Sequence, residues 1–455
     1  MSPNEATLSA FQGVDIPNYD ALTNCMHCGL CLPTCPTYAL TGLEKSSPRG
    51  RIRLIKAVAD GELPITAGFI GEMNFCLDCQ ACETACPAGV KYGSLLEAAR
   101  EQIAQGGYEG IVTRFTKKVM MEWTFMRQGR LKVAARFMRL YENTGLRWFL
   151  LKTGLLRLLS KKLDAIQPLS PSISQKFSSD ELPEVILPVG KPRYRVGFLT
   201  GCIMDVAFAD VNMDTVRLLL HHGCAVFVPR GQACCGSLQA HHGGLEAARE
   251  MARHNIELFD RGDLDFIVLN SAGCGAFMKE YGHVFSDDAE WGPRARRVSS
   301  KTKDLTEFLV ETGFWPRKLV EGSEKSDHLL AVDSAATRLS GKRVSYHDAC
   351  HLVHTQKIST QPRELLKLVP GIEYVELPEA SWCCGSAGIY NIVRYDDSMK
   401  MLDRKVENIQ KIHPDVIVTG NPGCMLQIQH GLRKKGVNVD LMHTATFLWR
   451  ACDVS

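Results

Sequence analysis

Nothing in the sequence approaches the roughly 20 consecutive apolar residues that a membrane-spanning helix needs, which excludes such a span. The N-terminus lacks a charged stretch followed by an apolar one, so no signal peptide is expected and the expected location is the cytoplasm. Charge of one sign is also lacking: 53 Lys and Arg face 50 Asp and Glu, a net +3. That balance argues against a nucleic-acid partner. There is no G-x-G-x-x-G dinucleotide fingerprint, no P-loop and no Ser/His/Asp arrangement. The 455 residues, 45% apolar and 23% charged, are ordinary for a soluble chain of two or three domains.

What is abundant is cysteine, with 18 residues. Without a secretory context, commitment to metal is the natural reading and disulfides the lesser one. Eight of the cysteines fall in two runs with one spacing, C-x2-C-x2-C-x3-C-P: Cys25, Cys28, Cys31, Cys35-Pro36, and Cys76, Cys79, Cys82, Cys86-Pro87. Three thiolates within one tight turn hold three corners of a cubane, and the fourth lies too far along to close the same cube. The runs therefore predict two [4Fe-4S] clusters with exchanged fourth ligands. One takes Cys25, Cys28, Cys31 and Cys86; the other takes Cys76, Cys79, Cys82 and Cys35. Zinc is the competing reading for a single run, and the repetition argues against it. His27 is read as shielding rather than ligating.

Residues 1–20 read as a mobile or partner-binding tail, and 21–106 as the two-cluster module. About 40 residues separate its runs, more than a compact bacterial ferredoxin has, so a helical ferredoxin is expected, with an amphipathic helix from Arg51 to about Asp60. On it, Arg49, Arg51 and Arg53 either offset cluster charge or form a solvated face. Residues 107–192 change character. From Arg114 to Lys162 there are 13 Lys or Arg against only Glu122 and Glu142, interleaved with Trp123, Phe125, Phe137, Tyr141, Trp148 and Phe149. Two or three basic amphipathic helices fit this pattern, suited to an anionic membrane surface, a partner subunit or plain solvent. The Pro- and Ser-rich stretch from Gln167 to Pro192 reads as a linker.

The remainder repeats itself. Cys202, Cys234-Cys235-Gly236 and Cys274 recur as Cys350, Cys383-Cys384-Gly385 and Cys424, with offsets of 148, 149 and 150. In each copy short apolar runs alternate with helical periods. Strands are expected at 195–200, 225–229 and 265–270, then 343–347, 373–377 and 415–419. Helices are expected at 211–222, 245–260 and 276–284, then 362–369, 398–412 and 425–435. Such alternation implies parallel βαβ units. The fold class is therefore α+β multidomain: an N-terminal α-helical ferredoxin domain followed by two tandem α/β Cys-Cys-Gly domains with parallel sheets, at 193–340 and 341–455. The cysteines then fall past strand C-termini, where open α/β sheets build sites. Each copy converges four thiolates, Cys202, Cys234, Cys235 and Cys274 in one and Cys350, Cys383, Cys384 and Cys424 in the other, suiting a further Fe–S cluster or zinc. Cys224 and Cys452 are read as structural. His241 and His242 follow the first Cys-Cys-Gly, and His347 and His351 flank Cys350, placed for hydrogen bonds behind the ligands.

The run Cys25 to Cys35-Pro36-Thr37-Tyr38, with Pro48-Arg49-Gly50-Arg51, resembles the glycolate oxidase iron–sulfur subunit family. So do Ser271-Ala272-Gly273-Cys274 through Tyr281-Gly282 and Cys383-Cys384-Gly385-Ser386-Ala387-Gly388. The resemblance implies FAD-containing hydroxy-acid oxidase subunits as partners, oxidising glycolate or a related 2-hydroxy acid such as lactate, with electrons leaving to a membrane quinone. It also implies a place in the cytoplasm or on the cytoplasmic face of the inner membrane. The Cys-Cys-Gly domains further resemble those of heterodisulfide reductase and of the anaerobic glycerol-3-phosphate dehydrogenase membrane subunit. In the heterodisulfide reductase pattern each domain ends in Cys-x-x-Cys. Here Ser271 and Asn421 stand at the first of those positions, which argues against the enlarged cluster and its disulfide-cleaving chemistry. Two function classes follow: an electron-transfer subunit of an oxidoreductase complex, or a scaffold with a working ferredoxin module and structural zinc in both repeats.

Overall fold

A computed structural model describes residues 10–155, 157, 160–315 and 339–454. Residues 1–9 of the expected tail lie outside the described residues.

The module at 10–106 has no strand among its described residues. Ser47 starts the helix Pro48–Ala59: its hydroxyl accepts from Gly50 N–H, and Pro48 sits in the first turn. Ile52, Ile55 and Val58 then face inward. They pack with Phe69 and Met73 of the helix Ala67–Phe75 and with Leu95, Leu96, Ala99 and Ile103 of the helix Tyr92–Gln105. Gly50 is required here, because a Cβ would stand 1.9 Å from the Glu44 carbonyl oxygen. Residues 10–18 are no free tail. Phe11 is buried 6.2 Å from the Phe69 ring, and Asp15 pairs with Arg249 of the first repeat. One aromatic flanked by polar residues gives no periodic signal, so sequence could not show this anchoring.

The basic segment forms the helices Ile111–Lys117, Gln128–Asn143, Leu146–Thr153 and Lys161–Ile166, with a seven-residue π-helix at Lys118–Thr124. Phe115, Trp123, Phe137 and Trp148 are exposed on it. The stretch expected as a linker is built into the first repeat instead. Phe177 and Leu182 are buried, and β1 (Val185–Ile186) pairs antiparallel with β3 (Cys224–Phe227).

In the first repeat β2 (Tyr194–Phe198) lies parallel between β3 and β4 (Phe266–Leu269), and β5 (Thr302–Asp304) extends the sheet to the order β1-β3-β2-β4-β5. In the second, β6 (Arg343–Tyr346), β7 (Glu373–Tyr374), β8 (Val416–Thr419) and β9 (Asp440–His443) give β7-β6-β8-β9, all parallel. Removing β1 leaves the same order twice, as a duplication requires. The middle strands are almost wholly buried, as parallel strands covered on both faces are. The two sheets share one continuous core that includes Val196, Phe198, Val344 and Tyr346. Backbone also crosses the seam: Ala272 N–H donates to the Gly420 carbonyl at 3.1 Å.

Candidate functional site

Each ferredoxin-type run bends through the same pair of left-handed residues. In the first these are His27 (φ 54°) and Gly29 (φ 84°); in the second they are Asp78 (φ 55°) and Gln80 (φ 57°). Two such residues around one cysteine curl the chain so that successive thiols face one centre. The turns open onto two adjoining cavities. One is lined by Cys25, Cys28, Cys31 and Cys86. The other is lined by Cys35, Cys76, Cys79 and Cys82. Cys82, Pro48 and Tyr92 border both. The first cavity thus gathers three thiols of one run with Cys86, and Cys82 beside them, and the second gathers three of the other run with Cys35; each contains the donor set a [4Fe-4S] cubane takes. The first has Cys28 exposed and Cys25, Cys31 and Cys86 half-buried; the four cysteines of the second are all buried.

Burial, reinforced by neighbouring thiols, pushes Cys79 and Cys82 well above the ordinary thiol range. Thiolates there need positive charge close by, which a metal supplies. The chain contributes some of its own. Arg51 is fully buried, donating to the Glu72 carbonyl (2.8 Å) and to the Thr37 hydroxyl (3.1 Å), which lies 3.2 Å from Cys35 Sγ. Arg100 is nearly buried and donates to the Cys76 carbonyl (2.6 Å) and to that of Met73. Tyr92 donates its hydroxyl to Cys76 Sγ at 3.5 Å. Of the arginines expected to offset charge, Arg49 donates to the His27 carbonyl beside the first cavity, and Arg51 sits at the second. Arg53 instead pairs with Glu62 on the surface.

In the repeats all eight cysteines stand at the carboxyl edges of the sheets. Cys202 and Cys350 follow β2 and β6, and the Cys-Cys-Gly turns follow β3 and β7. Cys274 and Cys424 lie in the first turns of the helices Ala272–Val284 and Pro422–Lys434. In the first copy the Cys202 and Cys234 thiols lie 3.5 Å apart, and hydrogen bonding with Cys202 and Cys235 holds Cys234 well below the usual thiol range. Tyr281 donates to the Cys235 carbonyl at 2.6 Å. In the second copy Cys384 and Cys424 lie with His347 so that their ligand atoms are within 4.8 Å of one another. Cys350 and Cys383 share an apolar cluster with Cys79, which sets this copy beside the second ferredoxin-type cavity. All eighteen cysteines are free thiols, and burial pushes Cys224 and Cys452 up to about 12, in keeping with structural roles.

The histidines divide. His241 lies between Glu97 (2.6 Å) and Asp78 (3.2 Å). Burial alone would lower its pKa, but these carboxylates reverse the effect and raise it to about 10. His242 turns to the Leu238 carbonyl, and burial lowers it to about 3. His351 bonds the Asp78 carbonyl at 2.9 Å. Sequence reasoning missed Arg100, Tyr92, Asp78 and Glu97. Asp78 inside the second run was the one available signal, a carboxylate between two cysteines that calls for a cationic partner.

Family models match the chain in the same order. Residues 21–90 match a 4Fe-4S dicluster domain, and 196–279 and 344–429 match a cysteine-rich domain. Residues 112–170, where the sequence offered no motif, match the linker region of the glycolate oxidase iron-sulfur subunit. The chain is 39% identical to the probable glycolate oxidase iron-sulfur subunit of Bacillus subtilis (strain 168), over 94% of each chain. It is 31% identical to the glycolate oxidase iron-sulfur subunit of Escherichia coli (strain K12), over 90% of this chain and 89% of that one. Lactate utilization protein A of Anoxybacillus flavithermus is 33% identical over 56% of this chain and 98% of its own. With the helical two-run module, the linker and the doubled Cys-Cys-Gly sheets in one order, the chain belongs to the glycolate oxidase iron–sulfur subunit family.

Proposed function

We propose that this chain carries electrons one at a time from FAD-containing hydroxy-acid oxidase subunits, with glycolate as the substrate, towards a membrane quinone. One observation carries the reading: two cysteine-lined cavities share a wall, one with Cys28 exposed and one whose four cysteines are all buried. Clusters bound there supply one-electron storage. Cys25, Cys28, Cys31 and Cys86 hold the outer cluster, and Cys35, Cys76, Cys79 and Cys82 the inner one. Arg51, Arg100 and the Tyr92 hydroxyl offset the negative charge that gathers on the inner thiolates. Cys202, Cys234, Cys235 and Cys274, and Cys350, Cys383, Cys384 and Cys424, hold a further Fe–S cluster or zinc. With no dinucleotide fingerprint in the chain, the two-electron oxidation falls to the flavin subunit. The basic, aromatic-studded helices of 111–166 seat the subunit on the anionic cytoplasmic face of the inner membrane. Supporting the substrate assignment are relatives named as glycolate oxidase iron-sulfur subunits over nearly their whole length.

The test is an anaerobic affinity isolation of the chain from its own cells. A flavoprotein is expected to accompany it, with glycolate-dependent reduction of a quinone analogue that Cys28→Ser or Cys79→Ser abolishes. A different dehydrogenase, such as one acting on glycerol-3-phosphate, would overturn the substrate. Full quinone-linked activity in the variants would overturn the relay and leave a scaffold.

A further inference from the structure

The two Cys-Cys-Gly copies are not chemically alike. The offset of 148 between Cys202 and Cys350 puts Leu199 of the first copy opposite His347 of the second. Leu199 is an ordinary buried apolar residue. His347 follows β6 and is 1% exposed, yet neither ring nitrogen has a hydrogen-bond partner of normal geometry. A buried imidazole without partners is costly and rare in native proteins.

The ring faces donors. Its ligand nitrogen and the thiols of Cys384 and Cys424, all buried, lie within 4.8 Å of one another. Two ligands at roughly 2.3 Å from one tetrahedral ion stand roughly 3.8 Å apart, so this trio needs little movement to close on a single ion. A cubane would spread the same thiols over separate irons. The neighbouring thiols of Cys383 and Cys350 are at hand for the fourth place. Buried Lys405 donates to the Glu379 and Ala380 carbonyls and sits near enough to Cys384 and Cys383 to feel their charge.

We propose that the second copy is a mixed nitrogen–sulfur site, in which His347, Cys384 and Cys424 with one neighbouring thiol hold a single tetrahedral divalent ion of the zinc class, while the first copy offers thiolates alone. This rests on the reading of the Cys-Cys-Gly cysteines as metal ligands and deepens it by naming the ion and a fifth candidate donor. The unpartnered imidazole is the observation that separates the copies.

The full-length protein, purified anaerobically without chelator, is assayed for iron and zinc and then by X-ray absorption at the zinc edge. Expected are one zinc per chain beyond the ferredoxin iron and a shell of mixed nitrogen and sulfur. His347→Leu, the residue of the first copy, is expected to lower retained zinc at least tenfold while the ferredoxin iron and its visible absorbance stay. Should that variant not fold, His347→Cys serves instead, keeping the metal but converting the shell to sulfur alone. Cobalt(II) added to zinc-depleted protein gives a second readout, a ligand-field band that moves on His347→Cys. An all-sulfur shell in the wild type, or zinc retained in His347→Leu, overturns the proposal. Extra iron in place of zinc overturns it while leaving the Cys-Cys-Gly cysteines as ligands. Neither metal overturns both. The electron-relay reading is judged separately, by the Cys28→Ser and Cys79→Ser activities.

Discussion

Arg51 and Arg53 sit on one helix two residues apart and have opposite fates. Arg51 is fully buried against Cys35 and Cys76, and Arg53 is on the surface with Glu62. Replacing Arg51 by Leu leaves the inner thiolates without that charge, so the inner cluster is expected to become harder to reduce and less firmly held. Loss of an outer-shell partner commonly costs roughly 10–100-fold in metal affinity or activity. A redox titration followed by electron paramagnetic resonance, with Arg53→Leu as the unchanged comparison, checks this. Tyr281 offers a test of stability in the first repeat. Its buried hydroxyl donates to the Cys235 carbonyl, so Tyr281→Phe is expected to cost about 1–3 kcal/mol, read by chemical unfolding. That the two runs would converge on shared cavities was legible from sequence, because their spacing is the one cubane chemistry uses. Arg100 and Tyr92 were not, because a lone arginine or tyrosine in a helix carries no spacing rule and only the fold brings it to Cys76.

Among the elements, long amphipathic helices and buried parallel strands were readable to within a few residues. The helix expected at 245–260 is Leu245–Phe259, and the strand expected at 415–419 is Val416–Thr419. The edge strands β1, β5 and β9 were not. β1 has two residues, and β5 reads Thr-Lys-Asp; neither carries a periodic apolar signal. The basic helices were legible as helices, while their surface was open to several readings. Exposed Phe137 and Trp148 beside so many cations predict that the protein co-sediments with vesicles of anionic lipid. It should be released by high salt and weakened by a Phe137→Ala/Trp148→Ala pair, while neutral vesicles leave it in solution.

For the molecule as a whole, the seam between the repeats carries a pH dependence. His443 is buried and donates to the Asn270 carbonyl across it, and burial lowers its pKa to about 4. The unfolded chain takes up a proton from about pH 6.5 downward while the folded one does not. Stability is therefore full above pH 6.5 and falls progressively towards pH 4, by up to about 3 kcal/mol. Unfolding curves across this range, flatter in His443→Gln, test it. At the other end, Phe11 and Asp15 fasten the N-terminal segment, and Phe11→Ala is expected to cost roughly 3 kcal/mol. The second repeat grips the cluster module from outside: His351 holds the Asp78 carbonyl, Thr355 holds Gln80, Lys357 holds Thr84, and Arg394 holds the Gly71 carbonyl. During synthesis the module emerges before this repeat. The inner cysteines are thus open to a cluster donor before the repeat folds against them, whereas the outer set, with Cys28 exposed, keeps an open approach afterwards.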